Sequence, residues 1–259
     1  LAARPRNRDA FNYGMSFEAA KKIAENSIVL AKNTCKTLPL SDFKDCCVIG
    51  ALAKEARYQG GGSSLVNPKH LVTLLEAINE DREDKGIDYA PGYALHPGED
   101  STKYLLDAVE LASSHKKVLL ILGLPSEAEC EGYDRRNMRL PENQYTLVDA
   151  LVKVNPNIIL ILTLGAPVEL PFVDSLKAVL IAYLPGEVEG KAIKDILLGD
   201  ANPSGKLAET WPFHYVDVPS YEFYPGKGDI SLYKESIFVG YRYYLTAQKK
   251  VCFPFGFGL

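Results

Sequence analysis

The chain of 259 residues is 47% hydrophobic and 24% charged, enough apolar material for a sizeable core, and a prior of roughly 150 residues per domain allows one large domain or two small ones. A formal net charge of -4 without a long basic run argues against nucleic acid and anionic membrane as partners, and the longest apolar stretches, such as Asn157 to Leu164, fall far short of the roughly 20 residues that span a bilayer. Five cysteines (Cys35, Cys46, Cys47, Cys130, Cys252), odd in number and without CxxC spacing, favour free thiols in a reducing compartment over a disulfide frame or a zinc site.

The opening stretch LAARPRNRDAFNYG is basic and lacks an apolar core, so it does not read as a secretory signal; a bacterial cytoplasm is expected, with secretion open if the chain is a fragment. Residues 17–32 put Ala20, Ile23, Ala24, Ile28 and Ala31 at helical spacing and predict a helix. CCVIGAL (46–52) predicts a short buried strand. Asn67 followed by Pro68 is a good helix start, with Leu71, Leu74, Leu75 and Ile78 behind it at helical spacing. A helix over 102–114 turns Leu105, Ala108, Val109 and Ala112 inward. KVLLILGL (117–124) predicts a strand, 142–154 a helix opened by Pro141, NIILILTL (157–164) and AVLIAYL (178–184) two more strands, and 189–198 a helix.

Strands that are apolar at every position belong in a sheet covered on both faces, and helices of this length between them suit right-handed crossovers. The expected fold class is therefore α/β: a three-layer sandwich with a mostly parallel, about six-stranded sheet and helices on both faces. Ligands of such folds bind beyond the carboxyl ends of the strands. Three unusual segments fall there: RYQGGGSS (57–64), PSEAECEGYDR (125–135) and GAPVE (165–169). After Pro203 the sequence turns to loops and aromatics, so 203–259 is expected to wrap the sandwich or meet a neighbour, and 1–16 to serve as a lead-in.

The glycine loop 60–62 has neither the GKS/GKT ending of a nucleotide loop nor a GxGxxG fingerprint; a tight turn, a sugar- or partner-facing loop and, least of all, a phosphate cradle stay open. ECEGYDR crowds Glu129, Glu131, Asp134 and Arg135 together. Glycosidic cleavage needs one group to protonate the departing oxygen and another to attack or to activate water. Glu129 and Glu131 cannot be that pair, because alternate residues of an extended segment point to opposite sides; one of them as half of a pair, and a solvated loop closed by a Glu–Arg bridge, are both compatible with the residues. His70, His96, His115 and His214 lie in different elements without HxxxH spacing, which favours surface or capping roles over metal binding. Trp211 suits a packing anchor, and Tyr241, Tyr243 and Tyr244 with Arg242 suit a core or interface role ahead of a carbohydrate stack.

Set in order along the chain, GGGSS with NP and VTLLEAI behind it, ECEGYDR followed by LPENQ, GAPVELP, AYLPGEVEGKAIKDILLGDANPSGKLAETWP, and the closing VGYRYY with FPFGFGL resemble the carboxy-terminal α/β-sandwich domain of glycoside hydrolase family 3, the β-glucosidase family. That resemblance implies a site shared by two domains. A (β/α)8 barrel supplies an aspartate nucleophile and most contacts to the terminal glucose; the sandwich supplies the general acid/base. The glutamate before the glycine of EGYDR or EGFDR carries that role in bacterial members, which is Glu131 here, with Glu129 as second choice. Asp134 and Arg135 match the DR of the motif and would hold the loop. Ser63 and Ser64 end a loop that faces the aglycone side, where plant members place a tryptophan at the position of Ser63. Retaining hydrolysis is implied, with Glu131 kept protonated by a partly desolvated cleft or a neighbouring carboxylate, and with roughly 5 to 5.5 Å between the two carboxyl groups. No metal or organic cofactor is implied.

Departures from the family pattern limit what this chain can do alone. Neither the barrel nor its SDW-type nucleophile segment is present, and the chain stops at FGFGL where many relatives continue with SYT and a fibronectin-type module. Cys130 stands where serine is usual between the two glutamates, and Ser236 where relatives with a YxEGI pattern have glycine, which bears on a turn. The expected partners are a β-linked glucoside or oligosaccharide and the barrel domain of the same enzyme, and the chain alone is expected to be inactive. The alternative is a non-catalytic carbohydrate-binding or partner-docking module of the same fold.

Overall fold

In the computed structural model, residues 12–80, 82, 86–96, 98–226 and 228–259 are described. Six strands form the main sheet: β1 (Val29–Asn33), β2 (Cys46–Ile49), β3 (Tyr89–Ala90), β4 (Lys117–Gly123), β5 (Ile158–Thr163) and β6 (Ala178–Ile181). Their order is β1-β6-β5-β4-β2-β3, parallel throughout except for β1, which runs antiparallel to β6 at one edge. Every residue of β5, and every residue of β4 after Lys117, is buried, as all-apolar strands between two helical layers must be. Each such Leu or Ile contributes about 1.5–3 kcal/mol relative to exposure, so these two strands are the heart of the core. Helices α1 (Tyr13–Ser27), α2 (Leu74–Asn79) and α5 (Glu189–Leu198) pack together, as do α3 (Ser101–Ser114) and α4 (Glu142–Val154), giving the three-layer sandwich.

Two elements differ from the sequence reading. The helix expected over 17–32 starts earlier, where the Asn12 side chain caps the Met15 N–H at 3.1 Å, and ends at Ser27. Ile28 leaves the helix at φ -65°, ψ 131°, and the following residues pair with β6 as the edge strand. Ile23, expected inward, is 67% exposed. The error has a physical source: Ala24, Ile28 and Ala31 sit at helical spacing by coincidence, although Ile28 to Ala31 is a four-residue buried run that suits a strand. The second helix begins at Leu74, not near Asn67. Thr73 and Glu76 form a capping box, while the preceding Val72 is held extended: its N–H donates to Glu187 O at 2.9 Å and its carbonyl accepts from Gly190 N at 2.9 Å. Backbone groups committed to the loop before α5 cannot also join a helix.

Of the lead-in expected over 1–16, residues 1–11 lie outside the described residues, and 13–16 already belong to α1. The tail from Pro203 first covers the free edge of β1. Ser204 bridges Val29, Gly205 N donates to Ile28 O at 3.1 Å, and a Cβ on Gly205 would meet Ser27 O at 2.3 Å, so only glycine lets the NPSGKL segment lie that close. Strands β7 (Trp211–Pro212) and β8 (Val251–Phe253) then form an antiparallel ribbon, with fully buried Trp211 edge-on to Phe253. A last helix, α6 (Tyr241–Thr246), sits before β8. Ser236 has φ +52° and is exposed, a left-handed conformation that disfavours any side chain. Ser236→Gly is therefore expected to raise stability by about 1 kcal/mol, seen as a higher urea midpoint at unchanged slope.

Candidate functional site

The strand order fixes where a site can form. From β2 the sheet continues to β3 on one side and β4 on the other, so the loops leaving β2 and β4 part company and open a crevice beyond their carboxyl ends. The glycine loop comes from β2 and the acid loop from β4. Across the crevice Gly61 bridges Cys130, with Gly61 N donating to Glu129 O at 3.2 Å. Gly62 has φ +78°, and a Cβ there would lie 2.8 Å from Glu131 Cβ. The glycines thus let one backbone sit against the other. Gly62→Ala is expected to push the acid loop outward and, because the left-handed backbone strains any side chain, to cost about 1 kcal/mol or more, seen as a lower urea midpoint.

Alternation along the extended loop separates the two glutamates. Glu131 points outward and is exposed; its Oε2 accepts from Ser63 N at 3.2 Å and from the Ser63 hydroxyl. Both bonds favour the carboxylate, the hydroxyl most, and hold Glu131 below the ordinary glutamate range. Within this domain the Ser63 bonds therefore favour the Glu131 carboxylate. Ser64 does not reach Glu131. Its hydroxyl donates to Gly61 O at 3.1 Å, within its own turn.

Glu129 points inward, its side chain 10% exposed. Gly165 N–H, at the end of β5, donates to both of its oxygens at 2.8 and 2.9 Å, and Arg57 Nη2 lies 3.6 Å from Oε2. The ion pair that ties down the acid loop is thus made with Arg57 and not with the neighbouring Arg135. Arg57 is itself buried, donating through Nε to Leu124 O at 3.1 Å and through Nη1 to Gln59 O. Within electrostatic reach of Arg57 is Glu189, 1% exposed at the start of α5, with an Oε2 that has no hydrogen-bond partner among the described residues. Burial pushes Glu189 up to about 8, with the Arg57 charge acting against that rise. Arg57 lies in the segment read for its glycines, and Glu189 in the PGEVEG stretch read for its resemblance; nothing local marked either as buried.

Asp134 and Arg135 hold the far end of the acid loop. Asp134 Oδ1 accepts from Tyr224 OH at 2.5 Å, linking the loop to the aromatic tail, and Arg135 Nη1 donates to Pro167 O at 3.2 Å. Burial lowers the Arg135 guanidinium from its usual value, with the Glu129 and Glu209 charges opposing the change. Burial likewise raises Glu209.

The remaining candidates lie apart from this cluster. Tyr241 stacks on Phe255 at 4.9 Å with Arg242 over its other neighbourhood at 4.9 Å, and Tyr244 is buried, so these rings mainly face one another. His96 pairs with Glu55 at 2.8 Å and His115 with Asp88 at 3.2 Å. Among the described residues no group of three or more His, Cys, Asp or Glu side chains is placed to hold a metal ion. The five cysteines are unpaired, and burial pushes Cys46 and Cys47 up to about 11 and 12, which leaves them inert as nucleophiles. No helix among the described residues is long and apolar enough to cross a membrane. A groove of about 1140 Å³ between α1 and α2 is lined by residues such as Tyr13, Phe17, His70 and Leu75, and Glu131 is not among them. The acid loop instead offers exposed carboxylates at Glu127, Glu131 and Asp134, of which Asp134 is engaged by Tyr224.

Residues 28–259 match the family model described as the glycosyl hydrolase family 3 C-terminal domain. Over 241 residues the chain is 44% identical to the thermostable beta-glucosidase B of Acetivibrio thermocellus, covering 93% of this chain and 32% of that protein. It is 37% identical over 254 residues to the exo-alpha-(1->6)-L-arabinopyranosidase of Bifidobacterium breve, covering 93% of this chain and 33% of that one. The crystal structure of a Bifidobacterium adolescentis GH3 beta-glucosidase superposes with a TM-score of 0.92 at 37% identity, over 98% of this chain and 37% of that one. The chain spans about one third of the length of the curated relatives it matches.

Proposed function

Because the chain belongs to glycosyl hydrolase family 3, as a C-terminal domain of that family, we propose that it supplies the general acid/base for retaining hydrolysis of terminal β-D-glycosidic bonds, with Glu131 as the proton donor. The observation that carries this reading is the division of labour in the acid loop. Glu129 is turned inward, its side chain 10% exposed, and anchored to Gly165 and Arg57, while Glu131, two residues on, is exposed on the rim of the crevice. A loop that was merely solvated would not need an inward glutamate and a buried arginine to fix it.

The nucleophile belongs to a second domain, a (β/α)8 barrel of the same enzyme. Docking of that domain would strip water from Glu131 and bring a carboxylate near it, and both effects raise a carboxyl group's proton affinity. In this reading Glu131 then gives its proton to the glycosidic oxygen as the C–O bond breaks and the aspartate takes the anomeric carbon. It next removes a proton from the water that releases the sugar. Ser63, which now donates to the carboxylate, can instead accept from the protonated acid, since a hydroxyl serves either way. Apolar side chains of the tail stand uncovered, among them Tyr233 at 86% and Ile237 at 73% exposure, which supports docking of further protein on this domain. Relatives of comparable identity over the same span are named for different glycosides, so glycone choice is assigned to the barrel.

The deciding experiment uses the full-length parent enzyme. Glu131→Ala should lose turnover and regain it with azide, releasing a glycosyl azide of retained configuration, because a small anion needs no base to attack the glycosyl-enzyme. Absence of rescue in a folded variant would remove Glu131 from the role. The isolated chain should show no turnover of an aryl β-glucoside. Ser63→Ala removes the bond that most favours the Glu131 carboxylate, so the alkaline limb of the kcat/KM profile, set by loss of the acid's proton, should move to higher pH.

A further inference from the structure

Arg57 lies beneath the crevice, 5% exposed, and its guanidinium joins three pieces of chain. Nε donates to Leu124 O at the end of β4 at 3.1 Å, Nη1 donates to Gln59 O at the start of the glycine loop, and Nη2 faces Glu129 Oε2 at 3.6 Å. The Gln59 side chain closes that same loop, accepting from Val66 N at 2.9 Å and donating to Val66 O at 2.9 Å. One planar cation therefore fixes both walls around Glu131: the loop that presents Ser63, and the anchor two residues before Glu131 itself. A lysine has no fork with which to donate to Leu124 O and Gln59 O while also facing the Glu129 carboxylate.

We propose that Arg57 is a positioning residue for Glu131, setting where the acid stands relative to the glycosidic oxygen without touching the substrate. The proposal rests on the assignment of Glu131 as general acid. Protein stability alone does not require this arrangement, since a buried ion pair can be replaced by apolar packing of similar volume without loss. Glu189 is a second, fully buried carboxyl group within electrostatic reach of the same guanidinium.

The test is made in the full-length parent enzyme with Arg57→Met, Arg57→Lys and Glu131→Gln side by side, on phenyl and 2,4-dinitrophenyl β-glucosides. A misplaced acid harms the substrate whose leaving group needs a proton and spares the one that does not. Arg57→Met should slow the step that forms the glycosyl-enzyme on the phenyl glucoside by about 10- to 100-fold, with KM within about 3-fold, and slow that same step far less on the dinitrophenyl glucoside, where it is read from the pre-steady-state burst because the base-assisted second step limits kcat. Arg57→Lys should recover part of the loss. Equal losses on both substrates, or a change confined to KM, would overturn the proposal, as would an Arg57→Met enzyme with parental kinetics. If Arg57→Met does not fold, Arg57→Lys decides by the same ratio of losses. Glu131→Gln separates the two readings: should it show the leaving-group signature while the Arg57 variants do not, only the positioning role falls. If Glu131→Gln lacks the signature, the acid assignment falls and the positioning role with it.

Discussion

Glu131→Gln in the full-length parent enzyme is expected to cut kcat on phenyl β-glucoside by about 10²- to 10⁴-fold while leaving 2,4-dinitrophenyl β-glucoside within about 10-fold in the step that forms the glycosyl-enzyme. The difference follows from the departing group. Phenolate is a strong base and leaves slowly without a proton, whereas dinitrophenolate departs unassisted. Glutamine keeps the shape of Glu131 and can still accept from Ser63 N, 3.2 Å away from Oε2 in the parent, so the loop should stay in place. Pre-steady-state measurement on the activated substrate should show a burst followed by slow turnover, because the second step needs the same residue as base. Uniform loss on both substrates, or a change in affinity alone, would instead mark Glu131 as a binding group and favour the carbohydrate-binding module over the catalytic one. The Ser63 bond sharpens the test. Since it holds Glu131 low in this domain, proton donation near neutral pH is expected to depend on the docked partner, in addition to the isolated chain's need for a nucleophile.

The layers of the fold were legible where burial on both faces left no polar position to confuse the pattern. KVLLILGL and NIILILTL became β4 and β5 within a residue or two, and helices 142–154 and 189–198 fell at the expected bounds. Misreading came where one pattern served two periods. Ile28 and Ala31 continue the helical spacing of α1, but Ile28 already leaves the helix and Ala31 belongs to an edge strand whose partner, β6, lies some 150 residues away. Thr73 was overlooked as a cap because Asn67–Pro68 is the stronger local signal, and the backbone bonds that hold Val72 extended come from beyond residue 186. β3, only two residues long, carries no periodicity at all. The site divides the same way. Glu129 and Glu131 could be placed on opposite sides from alternation alone, and which of them acts came from resemblance. Arg57 and Glu189 were invisible, because an arginine or glutamate in a loop looks solvated until distant segments close over it.

Glu189→Gln is expected to flatten the pH dependence of stability of this domain. A carboxyl group whose folded value is raised binds its proton more tightly folded than unfolded, so its contribution is fully present below the ordinary carboxylate range and is lost as pH rises toward the folded value of about 8. Between about pH 4.5 and 8 the parent must either keep a proton the unfolded chain has given up or bury a charge, and above 8 the penalty is complete. Converted at about 1.4 kcal/mol per unit and discounted for relaxation and for water entering the site, the full effect is on the order of 2–5 kcal/mol. Glutamine carries no such proton. Urea unfolding of the two proteins should therefore give similar midpoints near pH 5, or a slight deficit for the variant because its amide hydrogens meet an Oε2 position without a partner, and a clear advantage for the variant by pH 9. Parallel curves across that range would show that Glu189 is ionised in the fold, in which case Arg57 would be shared between two carboxylates and its grip on Glu129 correspondingly weaker. The same titration thus reads out whether Glu189, buried near the Arg57–Glu129 contact at 3.6 Å, keeps its proton in the fold.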